Sequence, residues 1–118
     1  MQLQNFIKTD RILKRREFIE LSKKGKRLKN KYVTAIYFPG STEKCRLGLT
    51  VTKKTGNSVK RNRLKRYVRE FFRVNKSKFN CIWDINIIAN KESVYISSEK
   101  MFLYLHEIFK KIEEDFDN

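Results

Sequence analysis

Histidine occurs once in this 118-residue chain and cysteine twice, at His106, Cys45 and Cys81. A lone histidine excludes catalysis by a histidine acid–base pair. His106 falls at the edge of an amphipathic stretch and reads as structural. Two cysteines without a CxxC spacing make neither a zinc finger nor a disulfide framework. Both lie in apolar, strand-like stretches and read as buried, inert thiols. The N-terminal residues hold no secretory apolar region, so the expected compartment is the cytosol. Proline occurs once, in Pro39-Gly40, and there are four glycines, so no linker divides the chain. One domain over 1–118 is expected, with flexible ends at 1–10 and 114–118. No apolar run approaches the roughly 20 residues of a membrane helix, and no membrane partner is expected.

Acids are also scarce over most of the chain. Residues 1–80 carry 24 lysines and arginines against 5 acids, whereas residues 81–118 carry 4 against 8. The whole chain has a net charge of +15. Such an excess opposes folding by self-repulsion, and its placement points to a polyanionic partner. The acids form no clustered carboxylate set for a two-metal nuclease. Asp10, Glu17, Glu20, Glu43 and Glu70 are scattered. Glu113, Glu114, Asp115 and Asp117 cluster only at the chain end, where a frayed acidic tail accounts for them. No catalytic residue and no metal ligand is expected in the chain.

Periodicity predicts the order helix, strand, strand, helix, strand, helix, a mixed α/β class. Leu13, Phe18 and Leu21 recur at helical spacing over 13–24, with Gly25 following. Residues 31–38 are rich in β-branched and aromatic side chains. Over 45–52, Cys45, Leu47, Leu49 and Val51 alternate with Arg46, Gly48, Thr50 and Thr52. Residues 53–57 form a loop. Helix 58–74 follows, then an apolar strand over 82–89 that reads as buried on both faces. The last helix, capped by Ser97 or Ser98, gathers Met101, Phe102, Leu105, Ile108, Phe109, Ile112 and Phe116 on one core-facing side.

Helix 58–74 carries the functional signal. Leu64, Tyr67, Val68, Phe71 and Val74 fall on one side. Asn62, Lys65, Arg66, Arg69 and Arg73 fall on the other, with Arg61 and Arg63 at the margins. A merely solvated face mixes charge signs at i,i+4; this one stacks like charges, each pair at a cost of a few tenths of a kcal/mol. Guanidinium forks match phosphate bidentately, and Asn62 can both donate and accept toward a ribose or base edge. A strand and a Lys-Lys-Thr-Gly loop precede the helix in place of a partner helix. That favours an RNA shape reader over a helix-turn-helix DNA regulator. Composition leaves a structural, ribosomal-type RNA-binding protein open as the alternative, and a free-standing nuclease is the weaker one.

Leu49-Thr50-Val51-Thr52-Lys53-Lys54, Gly56-Asn57, Lys60-Arg61-Asn62-Arg63-Leu64-Lys65-Arg66 and then Arg69, Glu70 and Phe72 together resemble the protein component of bacterial ribonuclease P. Arg15-Arg16-Glu17-Phe18 and residues 84–89 are similar to further family segments, so the likeness spans about residues 11–112. The resemblance implies a ribosomal S5 domain-2-like α/β sandwich with a left-handed βαβ crossover through the basic helix. It implies a subunit of an endoribonuclease that removes the 5′ leader of precursor tRNA, with catalysis and the magnesium requirement in the RNA subunit. The partners implied are that RNA subunit, facing Arg61, Asn62, Arg63, Lys65, Arg66, Arg69 and Arg73, and precursor tRNA. The leader is assigned by resemblance to a cleft between the first helix and the open sheet face. Phe18 is its stacking candidate, with core packing as the alternative for that ring. Thr34, Ile36, Thr50, Lys53 and Lys54 line the rest. The family's second aromatic, one turn after Phe18, is here Ser22, which leaves Tyr32 as a substitute.

Overall fold

In a computed structural model, residues 11–40, 45–75 and 82–117 are described. They form α1 (Arg15–Lys24), β1 (Lys26–Lys29), β2 (Val33–Pro39), β3 (Arg46–Thr50), α2 (Ser58–Asn75), β4 (Trp83–Ala89) and α3 (Ser98–Asp117). Short 3-10 turns stand at Lys53–Thr55 and Lys91–Tyr95. The mixed α/β class and the expected elements are present, with one strand more than the sequence predicts. That strand, β1, is Lys-Arg-Leu-Lys and has no β-branched residue. It lies at the sheet edge, where lysines guard against edge-to-edge pairing. The side-chain oxygen of Asn30 accepts the backbone N–H groups of Tyr32 and Val33, at 3.1 and 3.0 Å, and closes the β1–β2 hairpin.

The sheet order is β1-β2-β4-β3. β2 is antiparallel to both neighbours, while β3 and β4 run parallel and are joined through α2. Register decides the two faces. Ala35, Ile87 and Leu49 align across the sheet, as do Tyr37, Ile85 and Leu47. These residues form the main core with Leu64, Val68, Phe71 and Phe72 of α2 and Met101, Leu105, Ile108, Phe109 and Ile112 of α3. Phe109 meets both Phe71 and Phe72 edge-on, at 5.3 and 6.4 Å between ring centroids. The apolar arc of α2 is therefore rotated from the expected one. Phe72 is buried and Val74 is exposed, because α3 packs on the Phe72 side.

The helix ends follow their chemistry. Asn57 accepts the Lys60 N–H at 3.0 Å and Ser97 that of Lys100 at 3.2 Å, so each caps its helix. Gly25 ends α1 in an extended conformation, with its N–H donating to the Leu21 carbonyl at 2.8 Å. Glycine is needed there for closeness, since a Cβ would stand 2.8 Å from Ile36 Cγ2. The terminal segment expected to be loose is helical through Asp117, and Asp115 accepts from Tyr37 (2.9 Å) and Lys26 (3.1 Å). Residues 1–10 and Cys81 lie outside the described residues, and Cys45 is half-buried against the core.

Burial first, and then Asp115, push the Tyr37 hydroxyl up to about 12. A phenol raised in the folded state stabilises below its unfolded pKa of about 10, and that contribution fades as pH climbs from there toward 12. Tyr37→Phe should therefore show a shallower alkaline loss of stability than the parent above pH ~10. Chemical denaturation at pH 8, 10 and 11.5 reads it, and parallel declines would refute the assignment.

Candidate RNA-binding surfaces

The sheet face opposite the main core is covered only in part, by α1. Its rows follow from register: Arg27, Ile36, Asn86 and Gly48, then Lys29, Thr34, Ile88 and Thr50. Ile12, Leu21 and Ile36 form a small second core, with Phe18, Phe38 and Ile88 packed on it. Phe18 lies half-buried over Gly48, whose backbone it covers so closely that a Cβ there would come within 2.5 Å of Phe18 Cε1. The ring thus has one side in this small core and remains partly exposed. The two alternatives for Phe18 meet in one geometry.

Several expected cleft residues change role. Ile36 is only 2% exposed and supports α1 from beneath, so it forms the foundation of the face and not its lining. Tyr32 is buried in the main core, edge-on to Tyr104 at 4.6 Å, and supplies no second platform. The second aromatic on this face is Phe38, with Lys24 Nζ 4.9 Å from its ring centroid. Thr34 donates to Asn90 (3.2 Å), and Thr50 donates to the buried Asn86 (3.0 Å). The Thr50 hydroxyl is thereby already engaged. Lys53 and Lys54 are exposed on the turn that follows β3.

Sequence spacing gave no sign of a charged clamp at one end of this face. Arg46 donates to both Asp84 oxygens, at 3.0 and 2.9 Å, and pairs with Glu17 at 3.0 Å. Hydrogen bonding to Asp84 is the largest cause that raises the Arg46 pKa above its ordinary value. The clamp ties α1 to β3 and β4 one residue before Phe18. Glu17→Ala, partly exposed, should cost about 0.5–1 kcal/mol. Arg46→Met leaves Asp84 part-buried without its partner and should cost more, about 1–3 kcal/mol. Urea titrations of the two variants give the order, and a reversed order would contradict it.

The cationic face of α2 is real but less uniform than its spacing implies. Asn62 and Arg66 are exposed, and Lys65 and Arg69 are half-buried beside them. Arg61 Nε donates to the Gly56 carbonyl (3.2 Å), and an Arg63 terminal nitrogen donates to the Val94 carbonyl (2.8 Å). These two marginal arginines brace the flanking turns. Arg73 is paired with Glu70, which the spacing of like charges had left out of account. Burial, and then the like charge of Arg11, lower the Arg69 pKa from its ordinary value. The stretch from Arg11 joins the sheet edge by a parallel bridge to Leu47, with the Ile12 N–H donating to the Leu47 carbonyl at 2.9 Å.

Between the two surfaces lies a pocket of about 150 Å³. Lys65 and Arg69 of α2 line it together with Arg11, Leu13 and Phe18. Among the described residues no three His, Cys, Asp or Glu side chains gather to hold a metal ion. Among them, too, no helix is long and apolar enough to cross a membrane.

Comparison with known proteins agrees with the resemblance over nearly the full length. The family model described as Ribonuclease P matches residues 6–113. The ribonuclease P protein component of Desulfosudis oleivorans is 43% identical over 112 residues, covering 95% of this chain and 93% of that protein. The Staphylococcus aureus RNase P protein superposes with a TM-score of 0.83 at 32% identity, covering 87% of this chain and 94% of the other. The Thermotoga maritima RNase P protein gives 0.80 at 32%, covering 86% and 96%. A phosphate-matching helix face opposite the core, on this sheet topology and with this similarity, places the chain in the ribonuclease P protein component family.

Proposed function

We propose that this protein binds the RNA subunit of ribonuclease P through α2 and holds the 5′ leader of precursor tRNA on the sheet face beside α1. The observation that carries this reading is the separation of the two surfaces. Asn62 and Arg66 are exposed on α2 with Lys65 and Arg69 half-buried beside them, while Phe18 and Phe38 pack on the small second core under α1, and the exposed Lys53–Lys54 turn follows β3.

On this reading the hydrolysis of the leader phosphodiester, and the magnesium it requires, belong to the RNA subunit. The protein works in the cytosol by binding. Its cations lower the repulsion between two RNA chains and raise precursor affinity, an effect that must fall steeply with salt. Affinity gained equally by substrate and transition state lowers KM without raising kcat. A structural ribosomal-type role is not favoured, given the family to which the chain belongs.

Reconstitution tests the proposal. With a ribonuclease P RNA at limiting magnesium, adding the protein should accelerate leader removal from precursor tRNA, while the protein alone cuts nothing. Equal rates with and without it, or cleavage by RNA-free protein, would overturn this reading.

A further inference from the structure

One carboxylate interrupts the cationic helix. α2 carries seven lysines and arginines and a single acid, Glu70. Arg73 Nε, at 3.3 Å, and one of the Arg73 terminal nitrogens donate to the two Glu70 oxygens. Projected down the helix, Arg73 falls in the row of Asn62, Arg66 and Arg69, one turn or about 6 Å beyond Arg69, and Glu70 stands at the edge of that row. The Arg73 and Glu70 side chains are 42% and 46% exposed, so neither supports the core. Exposed pairs of this kind add little to stability, and folding alone does not account for an acid at this position. Hydrogen bonding to Arg73 holds the Glu70 carboxyl below its ordinary value, so it is charged at neutral pH.

We propose that Glu70 is a specificity-determining residue that closes the RNA-docking face of α2: its charge cancels that of Arg73, so the row of cations open to phosphate ends at Arg69. The physical ground is counterion release. A phosphate seated on an uncompensated guanidinium frees a condensed counterion and gains affinity. A phosphate brought to Arg73 meets a neutral pair, is repelled by the Glu70 carboxylate, and gains none. The consequence differs between RNAs. Non-cognate binding is almost wholly electrostatic, and a flexible single strand follows whatever cations lie in line. A folded RNA docks by shape on a fixed set of contacts, here Asn62, Lys65, Arg66 and Arg69. Glu70 thus weakens the binding of stray single strands and leaves the folded partner nearly untouched. This role rests on the proposed docking of the RNA subunit on α2, and it takes Arg73 out of the contact set that spacing assigns to it.

The test uses Glu70→Gln, which removes the charge and keeps the shape and an acceptor for Arg73. The full-length protein is titrated at several salt concentrations with a ribonuclease P RNA and with an oligouridine of about 20 nucleotides, longer than typical single-strand sites. With the oligouridine, Glu70→Gln should steepen the slope of log affinity against log salt by about 0.7, one phosphate contact, which is about fivefold in affinity near 0.1 M salt. Affinity for the ribonuclease P RNA should change less, so the ratio between the two RNAs falls. An unchanged oligouridine slope, or an equal gain for both RNAs, would overturn the proposal. Glu70→Gln combined with Arg73→Ala supplies the second measurement. It exchanges a neutral pair for neutral side chains, so the oligouridine slope should return to that of the parent. A slope that stays steep would place the gain elsewhere than Arg73, and one that falls a full contact below the parent would show phosphate reaching Arg73 in spite of Glu70; either result overturns the proposal. A parent protein that fails to bind the ribonuclease P RNA defeats the proposed function and the role of Glu70 with it, whereas a parent that binds while Glu70→Gln is inert defeats the role of Glu70 alone.

Discussion

Truncating Phe18 to alanine should weaken holoenzyme binding of precursor tRNA by about ten- to a hundredfold, while mature tRNA binds as before. The range is that of one lost stacking contact, about 1–3 kcal/mol. The ring rests on Gly48 and keeps part of its surface open. Its removal should therefore cost less stability than the roughly 3–5 kcal/mol of a fully buried phenylalanine. The cationic side chains of α2 are untouched, so affinity for the RNA subunit should hold. Thermal melting beside the two tRNA titrations separates the cases. A fall in precursor and mature tRNA binding that tracks unfolding alone would show Phe18 to be core. Thr50→Val is not a gentle substitute, because it strands the buried Asn86 oxygen that Thr50 now satisfies.

Replacing Lys65, Arg66 and Arg69 together by alanine should weaken RNA-subunit binding by at least about a hundredfold, since hydrogen bonds to charged groups are typically worth about 1.5–3 kcal/mol each. The slope of log affinity against log salt should become shallower by about 2–3, at 0.7–0.9 per phosphate contact. Folding should survive, because Arg66 is exposed opposite Leu64, Val68 and Phe71, and Lys65 and Arg69, half-buried at the flanks, are not members of the core cluster. Relief of the repulsion between Lys65 and Arg69 offsets part of any lost packing. Arg61→Ala and Arg63→Ala are poorer probes of the same contact. Their guanidinium groups brace Gly56 and Val94, so a loss there mixes binding with misplaced turns. Affinity measured at several salt concentrations checks the prediction, and an unchanged slope would mean that this face meets no RNA.

The cationic helix was legible because charge and apolar spacing share one period, so a projection of 58–74 separates the two sides without knowledge of contacts. That projection still misjudged Phe72 and Val74. Both lie near the arc's edges, and only the position of α3 decides which edge is covered. β1 was illegible because an edge strand guarded by lysines lacks the β-branched signature of a buried one. The Glu17–Arg46–Asp84 clamp joins residues far apart in sequence, and nothing local in Arg46 announces two carboxylate partners. Gly48 was visible only as one polar-face position in an alternating strand, whereas its lack of a side chain is what lets Phe18 lie on the sheet. Tyr32 was misjudged for the opposite reason: an aromatic just ahead of β2 suits either face, and its pairing with Tyr104 fixes it on the α3 side.

Site-directed crosslinking in the assembled holoenzyme tests the division between the two surfaces most directly. A short photocrosslinker is placed at exposed Lys53→Cys or Arg66→Cys, with Cys45 and Cys81 replaced by serine. Bound precursor tRNA is then irradiated, and each crosslinked nucleotide is mapped. The account predicts that position 53 reaches the leader and position 66 reaches the RNA subunit. Crosslinks from both positions to the RNA subunit alone, or the reverse assignment, would contradict it.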